Sequence, residues 1–255
     1  MDYKTIKLNI DESYIATVSL NRPDVRNAMN EIMINELTSC FQDLSSNNTI
    51  RVVLLRGNGH SFSAGADLQM MKDSSHQTLV QNKAGTKQLR NMVEAINSCS
   101  KPVVGVIHGH AFGGGFGLCT LCDIVIAEEK TLFSLSEVLI GLIPAVIGPY
   151  AENKIGKSWF RALGISGEQI DASLARKIGL AHFVIEESKM EMMINHVVKQ
   201  LLKGGPLAQS KFKDYIKNMA ATDSSDLIAE IRASKEGNEG LSAFLEKRKP
   251  NWNKN

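Results

Sequence analysis

The sequence predicts a layered α/β domain that is followed by a helical C-terminal region. The run "IRVVLLRG" is apolar on both faces, which is typical of a buried parallel strand, and "KPVVGVIHG" and "DIVIAEE" predict two further strands. Segments with helical spacing lie between these runs, as β-α-β units require. From about Ile147 onward the pattern is mainly helical apart from the short strand "AHFVIEE". Together these features define the fold class.

The first predicted elements are a hairpin and a long helix. "TIKLNI" and "YIATVSL" alternate around "DES", which predicts two antiparallel strands. "NEIMINELTSCFQDLSSN" places apolar residues near helical spacing, and residues 77–99 predict a second helix. "GGPLAQSKFK" predicts a helix with proline in its first turn. We expect a core over residues 1–195 and a helical region over residues 196–255.

Composition excludes several classes of function. The chain has 255 residues, 43% of them hydrophobic and 22% charged, with a net charge of +2. This charge is too small to favour nucleic acid or a membrane surface, and no apolar run reaches the roughly 18–20 residues of a membrane span. The four cysteines form no disulfide-like framework, so we expect a cytoplasmic protein. The CxxC at Cys119 and Cys122 lacks a second pair, so no metal is expected.

Two predicted strands are followed by turns rich in small residues, "GHSFSAGADLQMM" and "HGHAFGGGFGLCTLCD". Neither phosphate-binding motif fits, because Leu118 or Thr120 replaces the last glycine of a dinucleotide fingerprint and Ala151 replaces a P-loop glycine. Free N–H groups gather where a helix begins after such a turn, and they favour negative charge. If each turn offers one N–H to the same oxygen, the two form an oxyanion hole; close helix-to-strand packing is the alternative.

These segments resemble the crotonase (enoyl-CoA hydratase/isomerase) superfamily. "SFSAGADL", "GHAFGGGFGL" with "CDIVIA", and "FSLSEVLIGLIPAVIG" are similar to its three signature blocks in order and spacing, and the resemblance covers nearly the whole chain. "LSEVLIGLIPA" and the C-terminal "EGNEGLSAFLEKRKPNW" look most like bacterial methylglutaconyl-CoA hydratases of leucine breakdown. The resemblance implies a spiral of ββα repeats, a helical C-terminal region that builds a homotrimer or hexamer, and an acyl-CoA substrate without a separate cofactor.

The resemblance also implies catalytic roles. The backbone N–H groups of Ala66 and Gly114 would hold the thioester oxygen, and Glu137 would be the acid–base group. Glu137 lies in an apolar stretch, so burial should raise its pKa, which suits proton transfer near neutral pH. The alternative is a glutamate that caps or pairs in a loop. Gly117 occupies the position of a second glutamate that two-glutamate hydratases carry, and we expect the missing side chain to leave room for a distal carboxylate of the substrate.

Contacts to coenzyme A are implied at five further positions. Arg26 aligns with a basic residue that contacts a CoA phosphate, although it is otherwise an ordinary surface arginine. Ala64, Asp67 and Leu68 match a loop that wraps adenine and pantetheine, mostly through backbone atoms. Lys247 reaches the CoA of the same or a neighbouring subunit in this interpretation, or else belongs to a solvated charge cluster.

Three functions stay open at this stage. The first is hydration of an α,β-unsaturated acyl-CoA, with 3-methylglutaconyl-CoA as a candidate substrate. The second is a single-glutamate isomerase that moves a double bond between the β,γ and α,β positions, and the third is a weakly catalytic scaffold that binds acyl-CoA. Gly117 favours the last two, whereas the similarity of the surrounding blocks favours hydration. His108 and His110 flank the glycine turn, and we expect structural roles for them. No nucleic-acid or membrane partner is expected.

Overall fold

Within residues 3–253, which the computed structural model describes, nine strands form two sheets. The larger sheet has six strands in the order β1-β2-β3-β4-β6-β9, and the smaller has three in the order β5-β7-β8. The strands are β1 (Ile6–Ile10), β2 (Ile15–Leu20), β3 (Val52–Gly57), β4 (Val103–Ile107), β5 (His110–Phe112), β6 (Ile124–Glu128), β7 (Leu132–Ser134), β8 (Gln169–Asp171) and β9 (Phe183–Ile185).

The helices alternate with the strands in the first part of the chain and dominate the last part. This arrangement confirms the predicted α/β class and its helical C-terminal region. None of the helices in the described range is long and apolar enough to cross a membrane. They are α1 (Glu31–Ser46), α2 (Leu68–Ser74), α3 (Leu79–Asn97), α4 (Gly114–Leu121), α5 (Gly148–Ser166), α6 (Ala172–Lys177), α7 (Met190–Lys203), α8 (Pro206–Lys217), α9 (Ser224–Ala233) and α10 (Lys235–Leu245).

The large sheet is parallel except at its first pair. Strands β1 and β2 are antiparallel, which confirms the predicted hairpin. The pairs β2–β3, β3–β4, β4–β6 and β6–β9 are all parallel. The carboxyl ends of β3 and β4 therefore point to the same edge of the sheet. Both glycine-rich turns leave from that edge, where ligands bind in open parallel sheets.

Two hydrophobic cores cover the opposite faces of the sheet. Val53 and Leu55 belong to the core that α1, α3 and α4 cover. Val52 and Leu54, which alternate with them along β3, belong to the core beneath α7. Successive side chains of a strand point to opposite faces, so a strand covered on both sides must be apolar throughout. This explains the continuous apolar runs in the sequence.

Several helices begin directly after a polar residue whose side chain caps them. The Asn30 side chain accepts a hydrogen bond from Met33 N at the start of α1, and Thr78 and Gln81 form a capping box at α3. Pro206 is the first residue of α8, as the sequence predicts.

The sequence does not predict the small sheet. Strands β5, β7 and β8 have three residues each, too few to show a periodic pattern. The prediction that the only strand after Ile147 is "AHFVIEE" is therefore wrong, because β8 lies between α5 and α6. Only Ile170 of β8 is buried, between two exposed polar residues, so the segment carries little apolar signal.

Candidate active site

The two glycine-rich turns lie against each other at the carboxyl edge of the large sheet. Phe62 N donates to His108 O (2.9 Å), Ser63 N to His110 O (3.0 Å), and Phe112 N to Ser63 O (3.0 Å). These bonds join the turn after β3 to the turn after β4. The structure therefore brings together the two segments that the sequence analysis pairs.

Gly65 is the point of closest approach. Its φ is +93°, and a Cβ atom added there would lie 2.7 Å from Phe112 O and 3.4 Å from Gly114 N. A side chain would therefore collide with backbone that cannot rotate away, and the positive φ would add strain. Glycine at this position lets the residue that follows, Ala66, lie beside the start of α4.

The backbone amides of Ala66 and Gly114 at this junction have no protein acceptor within residues 3–253. Met29 N donates to Gly65 O (2.7 Å), and Asp67 N donates to Met29 O (2.9 Å). Met29 is therefore hydrogen-bonded to the residues on either side of Ala66, and the Ala66 N–H takes no part in these bonds. Gly114 is the first residue of α4, and the first N–H groups of a helix have no acceptor within it. The helix dipole favours negative charge at the same point.

Glu137 reaches the same place from a different part of the chain. It lies in a short 3-10 helix, Ser136–Ile140, that follows β7. A Cβ atom added at Gly113 would lie 3.5 Å from Glu137 Oε1. The other carboxylate oxygen, Oε2, is buried and has no hydrogen-bond partner among residues 3–253. Burial raises the pKa of Glu137 above its ordinary value of 4.5, as its apolar sequence context predicts.

One apolar cavity of about 400 Å³ contains these groups. Among the described residues that line it, Glu137 is the only one with an ionisable side chain, and Thr86 is the only other polar one. A cavity of this size and polarity suits a hydrophobic chain with one reactive polar end. The lining residues are Met29, Ile34, Ala66, Met70, Thr86, Leu89, Met92, Val93, Gly114, Leu118, Leu121, Glu137, Leu142, Ile143, Pro144, Ala145, Val146 and Ile147.

The space beside Gly117 is already filled. A Cβ atom added at Gly117 would lie 2.6 Å from Cγ2 of Ile147, a residue that is only 5% exposed. The expectation that Gly117 leaves room for a distal carboxylate is therefore wrong, because an isoleucine thirty residues later packs against the glycine. No residue pattern near Gly117 predicts this contact.

The segments around Ala66 are held by polar contacts that the sequence does not reveal. Asp67 accepts hydrogen bonds from Gln69 N (2.8 Å) and Met70 N (3.3 Å), which caps α2, and it pairs with Arg22 Nη1 (2.7 Å). Burial alone would raise the pKa of Asp67, but the hydrogen bonds from Arg22 and the two amides lower it overall. Its side chain is therefore engaged within the protein.

The remaining residues expected to bind CoA lie at the surface. Arg26 is exposed, with a φ of +51°, and its carbonyl accepts from Ala64 N (2.9 Å). The Leu68 side chain is 80% exposed at the start of α2. Lys247 follows α10 and does not line the cavity.

The two histidines beside the glycine turn make local hydrogen bonds. His110 Nδ1 pairs with Ser61 Oγ (3.0 Å), and His108 Nε2 lies 2.8 Å from Gly59 O. Neither lines the cavity. Over residues 3–253, no cluster of three or more His, Cys, Asp or Glu side chains is arranged to hold a metal ion.

Two free amides and a buried carboxylate in one apolar cavity define a site that can stabilise an anionic oxygen while a proton moves at a neighbouring carbon. The model of the enoyl-CoA hydratase/isomerase family matches residues 11–255, and the chain belongs to this family.

Individual relatives differ in their named activities. The chain is 28% identical to the 2,3-dehydroadipyl-CoA hydratase of Escherichia coli over 246 residues, which covers 93% of this chain and 94% of the relative. It is 29% identical to the trans-2-decenoyl-[acyl-carrier-protein] isomerase of Streptococcus mutans over 261 residues, 99% of each chain. The crystal structure of an enoyl-CoA hydratase from Shewanella pealeana superposes with a TM-score of 0.93 at 33% identity, covering 98% of this chain and 96% of that one.

Proposed function

We propose that the protein adds water across the double bond of an α,β-unsaturated acyl-CoA. The observation that carries the proposal is the buried, unpartnered Oε2 of Glu137 in the cavity that also holds the free amides of Ala66 and Gly114. In this proposal the amides form an oxyanion hole and Glu137 is the only acid–base side chain. The apolar cavity holds the acyl chain.

The proposed reaction passes through an enolate. The two amide N–H groups donate hydrogen bonds to the thioester oxygen, and this withdraws electrons from the double bond and makes Cβ electrophilic. Glu137 takes a proton from water while the water oxygen bonds to Cβ, and the negative charge moves to the thioester oxygen. The protonated Glu137 then gives its proton to Cα, and the carbonyl re-forms. The raised pKa of Glu137 suits both halves of this cycle, because the carboxylate must hold a proton between them.

Coenzyme A contacts belong to the same proposal. Arg26 is exposed and free to meet a phosphate, whereas Asp67 contributes by capping α2. Ala64 and Leu68 would contribute mainly backbone atoms.

Lys247 is proposed to reach the CoA of a neighbouring subunit in a homotrimer or hexamer. The segment that carries it is tied to the amino end of β3, since Arg51 Nη1 donates to Trp252 O (3.1 Å). That attachment lies at the opposite edge of the sheet from the cavity. The proposal is therefore that Lys247 contacts CoA bound to a neighbouring subunit and not CoA bound to its own subunit.

A single-glutamate isomerase is the second candidate, and the contact between Gly117 and Ile147 favours it. Because Ile147 fills the position of a second acid, Glu137 has no carboxylate beside it to hold a water molecule. Isomerisation needs only that Glu137 remove a proton from one carbon and return it to another through the same enolate. The Streptococcus mutans relative is named an isomerase.

Product analysis separates these functions. The purified protein is incubated with crotonyl-CoA, 3-methylglutaconyl-CoA and a 3-enoyl-CoA, and each product is identified by mass spectrometry and chromatography. A product that is about 18 Da heavier than either 2-enoyl substrate supports hydration, because the addition step adds one water molecule. Conversion of the 3-enoyl-CoA to an isomer of equal mass, without hydration, supports the isomerase instead. Tight binding of all three without turnover would leave only the acyl-CoA-binding scaffold.

A further inference from the structure

The acyl cavity adjoins a second cavity on the surface of α3. This second cavity has a volume of about 650 Å³. Thr86 and Val146 line both cavities, so the second begins where the lining of the first ends. A long acyl chain that passes Thr86 would therefore enter it. Its other lining residues are Leu79, Asn82, Lys83, Lys87, Arg90 and Asn91.

Three cations line this second cavity, and we refer to Lys83, Lys87 and Arg90 as the α3 cation row. Their spacing of four and three residues places them on one face of the helix, together with Thr86. No carboxylate lines the cavity with them, and none of the three forms an ion pair with any group in the range 3–253. Three unpaired positive charges at a concave surface attract an anion.

The acidic residues nearest to this row on α3 and α1 have other partners. Glu94, one turn after Arg90, accepts a hydrogen bond from Tyr150 Oη at 3.0 Å. Glu31 accepts from Gln88 Nε2 at 3.3 Å. Neither carboxylate forms an ion pair with the row, so the three cations have no salt-bridge partner within residues 3–253.

A different cavity also adjoins the acyl cavity, but its charges balance. It shares Ile143, Pro144 and Ala145 with the acyl cavity and includes both Glu152 and Arg161. An acyl chain with an anionic end would gain little there. The α3 side offers three cations without an acid, so the α3 side is favoured.

We propose that the α3 cation row selects acyl-CoA substrates whose chain ends in a carboxylate. The proposal rests on the proposed function, because it assumes that the acyl chain occupies the apolar cavity. The middle of the chain lies among apolar side chains, and the terminal carboxylate meets Lys83, Lys87 and Arg90. Arg90 can bind a carboxylate through two parallel hydrogen bonds, and the lysines add charge. The distal carboxylate thus has a binding site on α3 rather than beside Gly117.

The test uses two substrates of equal length, trans-2-hexenedioyl-CoA and trans-2-hexenoyl-CoA, which differ only in the terminal group. For the native protein we expect kcat/KM to be at least about tenfold higher for the dicarboxylic substrate, a difference of about 1.4 kcal/mol. In the triple variant Lys83→Gln/Lys87→Gln/Arg90→Gln, this ratio should fall about tenfold, mainly through KM. Raising the ionic strength from about 0.01 M to about 1 M should reduce the native ratio, because the Debye length shortens from about 30 Å to about 3 Å.

The control variant is Lys199→Gln, which removes an exposed lysine from α7 on the opposite face of the sheet. It should leave both values of kcat/KM unchanged. Circular dichroism of the triple variant establishes that it is folded. Equal kcat/KM for the two substrates in the native protein would overturn the inference, and so would a ratio that the triple variant does not change. Turnover of both substrates in those cases would leave the proposed function intact.

A binding experiment keeps the inference testable without turnover. Calorimetry compares the saturated ligands adipyl-CoA and hexanoyl-CoA. Tighter binding of adipyl-CoA that is lost in the triple variant supports the inference even if neither substrate is hydrated. If the triple variant weakens both ligands equally, the row contacts coenzyme A itself and the inference fails.

Discussion

The two edges of the large sheet both carry buried or half-buried polar groups. Most of those at the amino edge are paired within the protein, although Arg51 Nε is buried without a hydrogen-bond partner in the range 3–253. At the amino edge, Lys154 Nζ donates to Cys122 O (2.7 Å) and Val125 N donates to His182 Nδ1 (2.9 Å). Asp123 accepts from Val103 N (2.7 Å) and pairs with Lys213. At the carboxyl edge, Glu137 Oε2 and the backbone amides of Ala66 and Gly114 have no protein partner in the described part of the chain.

Pairing within the protein indicates which polar groups serve stability. Folding normally pairs buried polar groups, because an unpaired one costs about 1–3 kcal/mol. Burial lowers the pKa of Lys154, and burial with the nearby Lys154 charge lowers that of His182 to about 4, so His182 stays neutral and accepts its hydrogen bond. Burial also raises the pKa of Glu137, but no group within residues 3–253 forms a hydrogen bond with its Oε2. We therefore expect changes at the carboxyl edge to affect turnover and changes at the amino edge to affect stability.

The largest expected effect is the loss of turnover in Glu137→Gln. Glutamine keeps the shape of the side chain but cannot exchange a proton, so kcat should fall by about 10²–10⁴-fold while CoA binding persists. Steady-state kinetics on the substrate identified above, with calorimetry for binding, measure both quantities. Glu187→Gln, at an exposed glutamate near α7, is the control and should keep the native rate. A Glu137→Gln variant with native kcat would show that another group transfers the proton.

A smaller loss of activity is expected from Gly65→Ala. The new Cβ would lie 2.7 Å from Phe112 O, so the two turns must separate and one amide leaves the shared oxygen position. Loss of one such donor lowers kcat by about 10²–10³-fold. Gly85→Ala in α3 is the control, since a Cβ there meets nothing within 4 Å. The control should keep its activity and gain about 1 kcal/mol of helix stability, whereas equal activity of both variants would contradict the geometry.

The amino edge should respond to Asp123→Ala with a loss of stability. The variant leaves Lys213 and Val103 N without their shared acceptor, and the free energy of unfolding should fall by about 2 kcal/mol. Urea denaturation measures this change, and kcat below the transition should stay native. Glu186→Ala, which removes an exposed ion pair with Lys189, should change stability far less. A fall in kcat without a fall in stability would contradict the assignment of this edge to stability.

The smallest effect is a gain in stability in Glu137→Gln near neutral pH. The pKa of Glu137 is raised in the folded protein, so the native state holds its proton more tightly than the unfolded state does. Stability therefore falls as the pH rises from the ordinary value of 4.5 through the raised pKa. Glutamine lacks this penalty, so the variant should be the more stable one at pH 7 and should match the native protein below about pH 4.5. Thermal unfolding across this pH range measures the difference in stability between the two proteins. A difference that is the same at every pH would show that titration of Glu137 is not its cause.

The sequence could predict the elements whose signal is carried by many residues. β3 and β4 are recognisable because every apolar position faces one of two cores, and α1 is recognisable because its buried residues repeat at helical spacing. The small sheet could not be predicted in this way, because its strands are held by register with one another rather than by an apolar pattern. Ser134 pairs with Phe112 on one side and with Gln169 on the other, and only the folded chain brings these residues together.

The candidate site was predictable where a local pattern marks it and not where it depends on distant contacts. The glycine turns and the apolar surroundings of Glu137 are visible in the sequence. The roles of Asp67 and Ile147 are not, since their partners are Arg22 and Gly117, many residues away. The α3 cation row resembles any solvated helix face in the sequence, and only the shared lining of two cavities distinguishes it.

The contact between Gly117 and Ile147 constrains how this protein can evolve. A glutamate introduced at position 117 alone would meet Ile147 Cγ2 at 2.6 Å, and overpacking of this kind costs about 1–3 kcal/mol. Shortening Ile147 to alanine first would open a cavity against the glycine and cost about 2–5 kcal/mol. Both orders of substitution pass through a less stable intermediate. A two-acid active site therefore cannot be reached from this chain by these two substitutions without a temporary loss of stability. Positions 117 and 147 are therefore energetically coupled, and acquiring a second acid requires stability elsewhere that offsets the cost of the intermediate.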